Sequence, residues 1–164
     1  MTVTSVHKDP EALSMTFTAE FPAPVERVWQ IWEDPRQLER WWGPPTWPAT
    51  FDEHDVTVGG GSAYHMTGPE GEKARGWWRF TLVEAPNRLE FDDGFAGDDG
   101  KPLPEPAPVH CVVTLEATAE GTRMVTASTF SSAEHLEQMV NMGMEEGMRE
   151  AMGQIDALLA ESRV

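Results

Sequence analysis

Near the start of the chain Leu13, Met15 and Phe17 alternate with Ser14, Thr16 and Thr18, the period-two pattern of a strand with one buried face. The period then changes. Pro24 suits the first turn of a helix, and Val25, Val28, Trp29 and Trp32 follow at helical spacing on one face. Asp34-Pro35 ends that helix, and a second short one is predicted from Pro35 to Trp41, stopped by Gly43-Pro44-Pro45. Further strands are predicted over Phe51–Val58, Ala63–Thr67, Gly76–Glu84 and Leu89–Phe95, with Gly- and Pro-rich turns between them. The segment from Asp98 to Pro108 carries too many Pro, Gly and acidic residues for regular structure. Val109–Ala117 and Met124–Phe130 form a last hairpin about Glu120-Gly121. Strands spaced in this way describe an antiparallel meander, not alternating strand–helix units.

The last third has a different rhythm. Ser131 and Glu134 have the spacing of a capping box, and Leu136, Val140, Gly143, Met144, Gly147, Ala151, Ile155 and Leu158 recur at three and four. That pattern predicts one helix from Ala133 to about Ala160, about 40 Å long at 1.5 Å per residue. An amphipathic helix of that length after a meander lays its apolar face on the concave side of the sheet. The fold class expected is α+β: a curved antiparallel sheet of six to seven strands, two short helices, and a long C-terminal helix over a cavity. One domain spans residues 1–164, its core about 13–160, with a flexible N-terminus over 1–11.

Candidate cavity residues follow from the two periods. Gly143 and Gly147 fall on the buried helix face, where each costs about 1 kcal/mol against alanine. Either the sheet approaches closely there or open volume lies beside the helix. Met144 and Met148 favour a deformable pocket wall, and Val140 and Ala151 share the face. Met139 and Met142 lie off it, which suits a portal rim, a subunit contact or a frayed end. In the strands, Trp78 is expected inward and Trp77 outward, because adjacent residues face opposite ways. Alternation likewise turns Tyr64 and Met66 inward and His65 outward, and adds Phe51, Phe80 and Phe91. Cys111, Val113, Ser128 and Phe130 join from the last hairpin, and Trp32, Trp41 and Trp42 from the short helices.

Composition narrows the functions. Seven tryptophans and nine methionines supply bulky, adaptable apolar surface. A formal charge of −16 repels phosphate backbones and anionic lipid, so neither nucleic acid nor a membrane surface is an expected partner. The single cysteine, Cys111, is expected as a buried strand thiol. The first residues form no apolar run, no stretch of about 18 apolar residues occurs, and the expected compartment is the cytoplasm. The five histidines show no metal-ligand spacing, and HExxH, paired CxxC, GxSxG, P-loop and dinucleotide fingerprints are absent. No metal or cofactor is expected. His54 reads as part of a solvated strand end. No catalytic residue is assigned; Tyr64, Glu53, Arg79 and Ser128 are the residues able to move protons if the cavity holds an active site.

An ordered set of short motifs carries a resemblance over roughly Met15 to Ala160. Phe21-Pro22-Ala23-Pro24-Val25-Glu26-Arg27-Val28-Trp29, Asp34-Pro35, and Arg40-Trp41-Trp42-Gly43-Pro44 come first. Asp55 with Val58-Gly59-Gly60, Gly68-Pro69-Glu70-Gly71, Pro86-Asn87-Arg88-Leu89, Gly121-Thr122-Arg123 and Gly143-Met144-Glu145-Glu146-Gly147 follow. Together they resemble bacterial homologues of the activator of heat-shock protein 90 ATPase, within the START-like (SRPBCC) superfamily. The resemblance implies a helix-grip fold with a cavity between sheet and last helix, and a carrier or sensor of a small hydrophobic or aromatic molecule. Met148 stands where many members have an aromatic residue, and the Pro102–Pro108 insertion implies a partly lidded mouth. An enzyme of the aromatase/cyclase or dehydratase type in the same cavity is one alternative. A homodimeric or co-chaperone interaction module is another, although the chain has no counterpart of the eukaryotic activator's chaperone-binding domain.

Overall fold

The computed structural model describes residues 3–104 and 107–161. Eight antiparallel strands form one sheet: β1 (Val3–Asp9), β2 (Ser14–Phe21), β3 (Ala49–His54), β4 (Gly61–Thr67), β5 (Lys73–Glu84), β6 (Arg88–Ala96), β7 (Val109–Thr118) and β8 (Gly121–Thr129). Their order across the sheet is β1-β2-β8-β7-β6-β5-β4-β3. Between β2, next to one edge, and β3, at the other edge, the chain crosses the sheet as α1 (Val25–Glu33) and α2 (Pro35–Trp41). The sheet is thus the expected meander with one strand more. The additional strand is β1, which occupies the segment expected to be flexible and pairs with β2. Past the register shift between Val3 and Ser5 its residues carry one apolar side chain, Val6, so no period-two signal marks it.

Pro24 is the N-cap of α1, one position earlier than expected, and the Asp34 side chain caps α2 by accepting from the Arg36 N–H. These caps aim Trp32 and Trp41 into one end of the concave face. Their rings meet edge to face at 4.8 Å, and beneath them Trp78 stacks on Phe91 at 4.2 Å. Phe51, Phe80, Leu89 and Val113 close the cluster, all nearly inaccessible. This end of the grip is solid core.

His54, at the end of β3, is half-buried against this core, its ring beside Phe51, Trp78 and Phe80. A bulge between Phe51 and Glu53 turns His54 to the inner face opposite Ser62. Its Nε2 lies 2.8 Å from the Trp32 carbonyl and its Nδ1 2.6 Å from the Ser62 hydroxyl. A carbonyl only accepts, so Nε2 carries the proton and Nδ1 accepts from Ser62. Burial holds the imidazole below its ordinary pKa. His54→Ala is therefore expected to cost about 1–2 kcal/mol at neutral pH. A group with a depressed native pKa stabilises above the unfolded-state value of about 6.5 and loses that contribution as pH falls, so the cost shrinks in acid. Urea unfolding of both proteins across that range measures it.

The C-terminal third is helical but not one helix. It runs as α3 (Ala133–Asn141), α4 (Met144–Met152) and α5 (Ile155–Glu161). Gly143, the N-cap of α4, has φ 85°, a left-handed conformation that ends α3, and Gly153 separates α4 from α5. Ser132, rather than Ser131, caps α3, accepting from the His135 N–H at 3.1 Å. Gln154 Nε2 donates to the Gly43 carbonyl at 2.9 Å and so fastens the α4–α5 junction to the end of α2. Among the described residues no helix is long and apolar enough to cross a membrane.

Candidate functional site

Between α3–α4 and the part of the concave face that α1 and α2 leave uncovered lies a cavity of about 520 Å³. Its floor is the inner face of β4 to β8: Tyr64, Met66, Phe95, Val109, Cys111 and Ser128. Trp42, Pro44 and Trp47 form one side, where the chain leaves α2. Met139, Met142, Met144 and Met148 make the roof with Gly143 and Gly147. Of these, Met142 is 58% exposed and marks the rim. Two larger depressions, about 570 Å³ beside Arg27 and about 890 Å³ at the β3–β5 edge, are bordered by charged side chains. Of these three, the cavity under α4 has the most apolar wall among the described residues.

Gly147 resolves the alternatives for the helix glycines. A Cβ built there meets no atom within 4 Å, so the position faces open space, not a closely packed sheet. Trp32, Trp41, Phe51, Trp78, Phe80, Phe91 and Val113 stand apart from this space. They were expected on its wall, but α1 and α2 press onto that end of the sheet and convert it to core. Phe130 packs on His135, Val140 packs against the core, and Ala151 lines a small adjoining recess of about 160 Å³. Met139 is buried on the wall, not at a rim, because it shares the inward face of α3 with His135 and Leu136, four and three residues before it. No described residue of the Pro102–Pro108 segment lines the cavity. Pro102 instead bridges to Ala96 and borders the depression at the β3–β5 edge.

Asp93 is the site residue that the sequence reading passed over. Leu89, Phe91, Asp93 and Phe95 all face inward by the same alternation, so the series places one carboxyl on an apolar wall. The Tyr64 hydroxyl donates to Asp93 Oδ1 at 2.9 Å. Oδ2 accepts no hydrogen bond from any described residue. Gly76 permits the contact. It pairs with Tyr64 in the ladder, and a Cβ there would sit 2.4 Å from Tyr64 Cζ and 2.5 Å from its oxygen. The phenol thus lies flat over β5 and reaches β6.

Both groups sit deep in protein yet keep accessible surface, because what they face is the cavity. Burial raises the Asp93 pKa from 3.8 to about 7 against the hydrogen bond from Tyr64, which lowers it. Burial, and then the neighbouring Asp93 charge, raise Tyr64 well above 10. The buried Trp42 and Trp78 indole N–H groups make no hydrogen bond, but lie near enough to the pair to favour its charged forms. Burial also pushes the Cys111 thiol up, and its Sγ lies 3.8 Å from Ser128 Oγ. Among the described residues no cluster of three His, Cys, Asp or Glu is arranged to hold a metal ion.

The family model for Activator of Hsp90 ATPase homolog 1-like protein matches residues 22–160. The chain belongs to that family. Among solved structures, a protein from Arthrobacter aurescens is 63% identical, covers 99% of this chain and 94% of its own, and superposes with a TM-score of 0.94. A protein from Mycobacterium smegmatis is 48% identical over 96% of each chain, with a TM-score of 0.89. A Rhodobacter sphaeroides protein, 24% identical with a TM-score of 0.83 over 96% of this chain and 98% of its own, shares the fold. No curated protein matches the chain.

The four proton-moving candidates separate cleanly. Tyr64 and Ser128 line the cavity, whereas Glu53 and Arg79 are exposed at the β3–β5 edge. Tyr64 is the only tyrosine, so phenolate absorbance reports it alone. In the folded protein the phenolate should appear well above pH 10, and in the unfolded chain near the ordinary value of about 10. Gly76→Ala displaces the ring from Asp93, so titration should move toward the ordinary value, with a loss of about 1–3 kcal/mol in stability. An unchanged titration in that variant would contradict the geometry.

Proposed function

We propose that the protein binds a small, largely apolar molecule in the cavity between the sheet and α3–α4, as a carrier or sensor. The observation that carries this reading is the open space at Gly147: the helical segment crosses the sheet without filling the volume beneath it. A volume of about 520 Å³ with an apolar wall and few polar groups is typical of small-molecule sites. The four roof methionines adapt to ligand shape at little cost, and burial of a ligand contributes about 25 cal/mol per Å² of apolar surface.

Membership of the family fits a ligand-binding or a chaperone-related module; the cavity favours the first. A cyclase or dehydratase would use the same space, with Tyr64 and Asp93 exchanging protons with the ligand. In this arrangement the phenol donates to Asp93 and keeps its proton, while the Asp93 carboxyl titrates at about 7, and no second group among the described residues is placed to relay its proton. Titration with neutral aromatic probes such as naphthalene tests the reading, because Trp42 and Trp47 border the cavity. Saturable quenching of tryptophan fluorescence is the expected result. Its absence across a range of probe sizes would remove the reading.

A further inference from the structure

Asp93 is the only Asp, Glu, Lys, Arg or His among the described residues lining the cavity, and none of the ion pairs formed by described residues includes it. A buried carboxyl with no counter-charge is costly, and the costs are avoided at Leu89, Phe91 and Phe95 on the same inward series. Its Oδ1 is occupied by Tyr64, while Oδ2 accepts none of the hydrogen bonds formed by described residues, the Trp78 indole N–H lying near the carboxyl but beyond hydrogen-bond geometry.

We propose that the cavity takes an apolar amine, a hydrophobic body bearing one protonated nitrogen that pairs with Asp93 Oδ2. This rests on the small-molecule reading above and names the class of ligand. Three further observations support it. The aromatic faces of Trp42, Trp47, Tyr64 and Phe95 border the same space and attract a cation through their ring quadrupoles. The chain's formal charge of −16 concentrates cations around it and repels carboxylate ligands such as fatty acids. No cationic side chain on the wall competes for Asp93. The other titratable groups facing it, Tyr64 from β4 and Cys111 from β7, both hold their protons, and α3 and α4 contribute only methionines and glycines to the roof.

Calorimetric titration of the full chain with naphthylethylamine, naphthylethanol and naphthylacetate, which share one hydrophobic body, tests the proposal. At a pH above the Asp93 titration the amine should bind at least about tenfold more tightly than the alcohol, which is about 1.4 kcal/mol, and the carboxylate most weakly. In Asp93→Asn and Asp93→Ala the ratio of amine to alcohol affinity should fall close to one. Equal affinities for amine and alcohol in the native sequence, or tightest binding of the alcohol, would overturn the amine assignment while leaving the cavity reading in place. A preference that survives both variants would overturn the role of Asp93 and trace it to the overall charge. Failure of all three probes to bind would instead remove the cavity reading on which the proposal rests.

Discussion

Asp93→Asn should be more stable than the native sequence at pH 8 by about 2–4 kcal/mol, with a thermal midpoint roughly 5–15 °C higher. The native carboxyl has its pKa raised from 3.8 to about 7, mainly by burial. A group whose folded-state pKa lies above its unfolded value contributes most in acid, where both states hold the proton. Between about pH 4 and pH 7 the native state keeps a proton that the unfolded chain releases, so this contribution is lost as pH rises. Above that window the full cost of a buried carboxylate remains. Asparagine keeps an acceptor for the Tyr64 hydroxyl and carries no charge at any pH. His54 and His135 also titrate out of their ordinary range, both lowered by burial, but they do so in both proteins. The difference between the two stability–pH profiles therefore isolates Asp93. Parallel profiles, or a variant that is less stable at pH 8, would contradict this. The expected gain means that the native residue is held at a cost in stability, as at many binding sites.

The second large effect is expected from Gly147→Phe. A side chain at this position meets open space, and the backbone there is helical, so the substitution introduces no clash at Cβ. Replacing glycine inside a helix should add about 0.5–1 kcal/mol of helical stability. The phenyl ring would project between Trp42 and the roof methionines, into the volume assigned to the ligand. Affinity for naphthalene-sized probes should fall at least tenfold while the unfolding midpoint is kept or raised. A variant that binds as the native sequence does would place the ligand elsewhere. Most substitutions that abolish binding also weaken the fold, which makes this combination diagnostic.

How far the sequence could be read depended on whether a local rule kept its phase. Where alternation ran unbroken, it placed Trp78 inward, Trp77 across Gly94 on the outer face, and Tyr64 and Met66 on the floor. Register shifts broke that phase in three places. One, between Phe51 and Glu53, turned His54 to the inner face; the others lie at the start of β1 and between Phe80 and Leu82. Helical periodicity cannot distinguish a glycine that continues a helix from one that ends it in a left-handed turn, so Gly143 appeared as an interior residue; Gly153 keeps right-handed helical angles and gave no sign of the break beside it. Which half of the concave face would be filled depended on where α1 and α2 press, a tertiary fact with no local signal. Trp32, Trp41 and Phe91 therefore looked like cavity residues and are core. Asp93 was legible in principle: the alternation that placed Leu89 and Phe91 inward extends to it unchanged. Trp47 lies in a turn outside any period, and only the folded chain brings it to the site.

The methionine methyl groups offer the most direct test of an open, ligand-accepting cavity. They divide between the site, at Met66, Met139, Met142, Met144 and Met148, and the solid core, at Met15, Met124 and Met152. With isotope-labelled methionine methyls, saturation with naphthylethylamine or naphthalene should shift the site signals and leave the core signals in place. Shifts spread evenly over both groups, or no shift at saturating probe, would contradict the account.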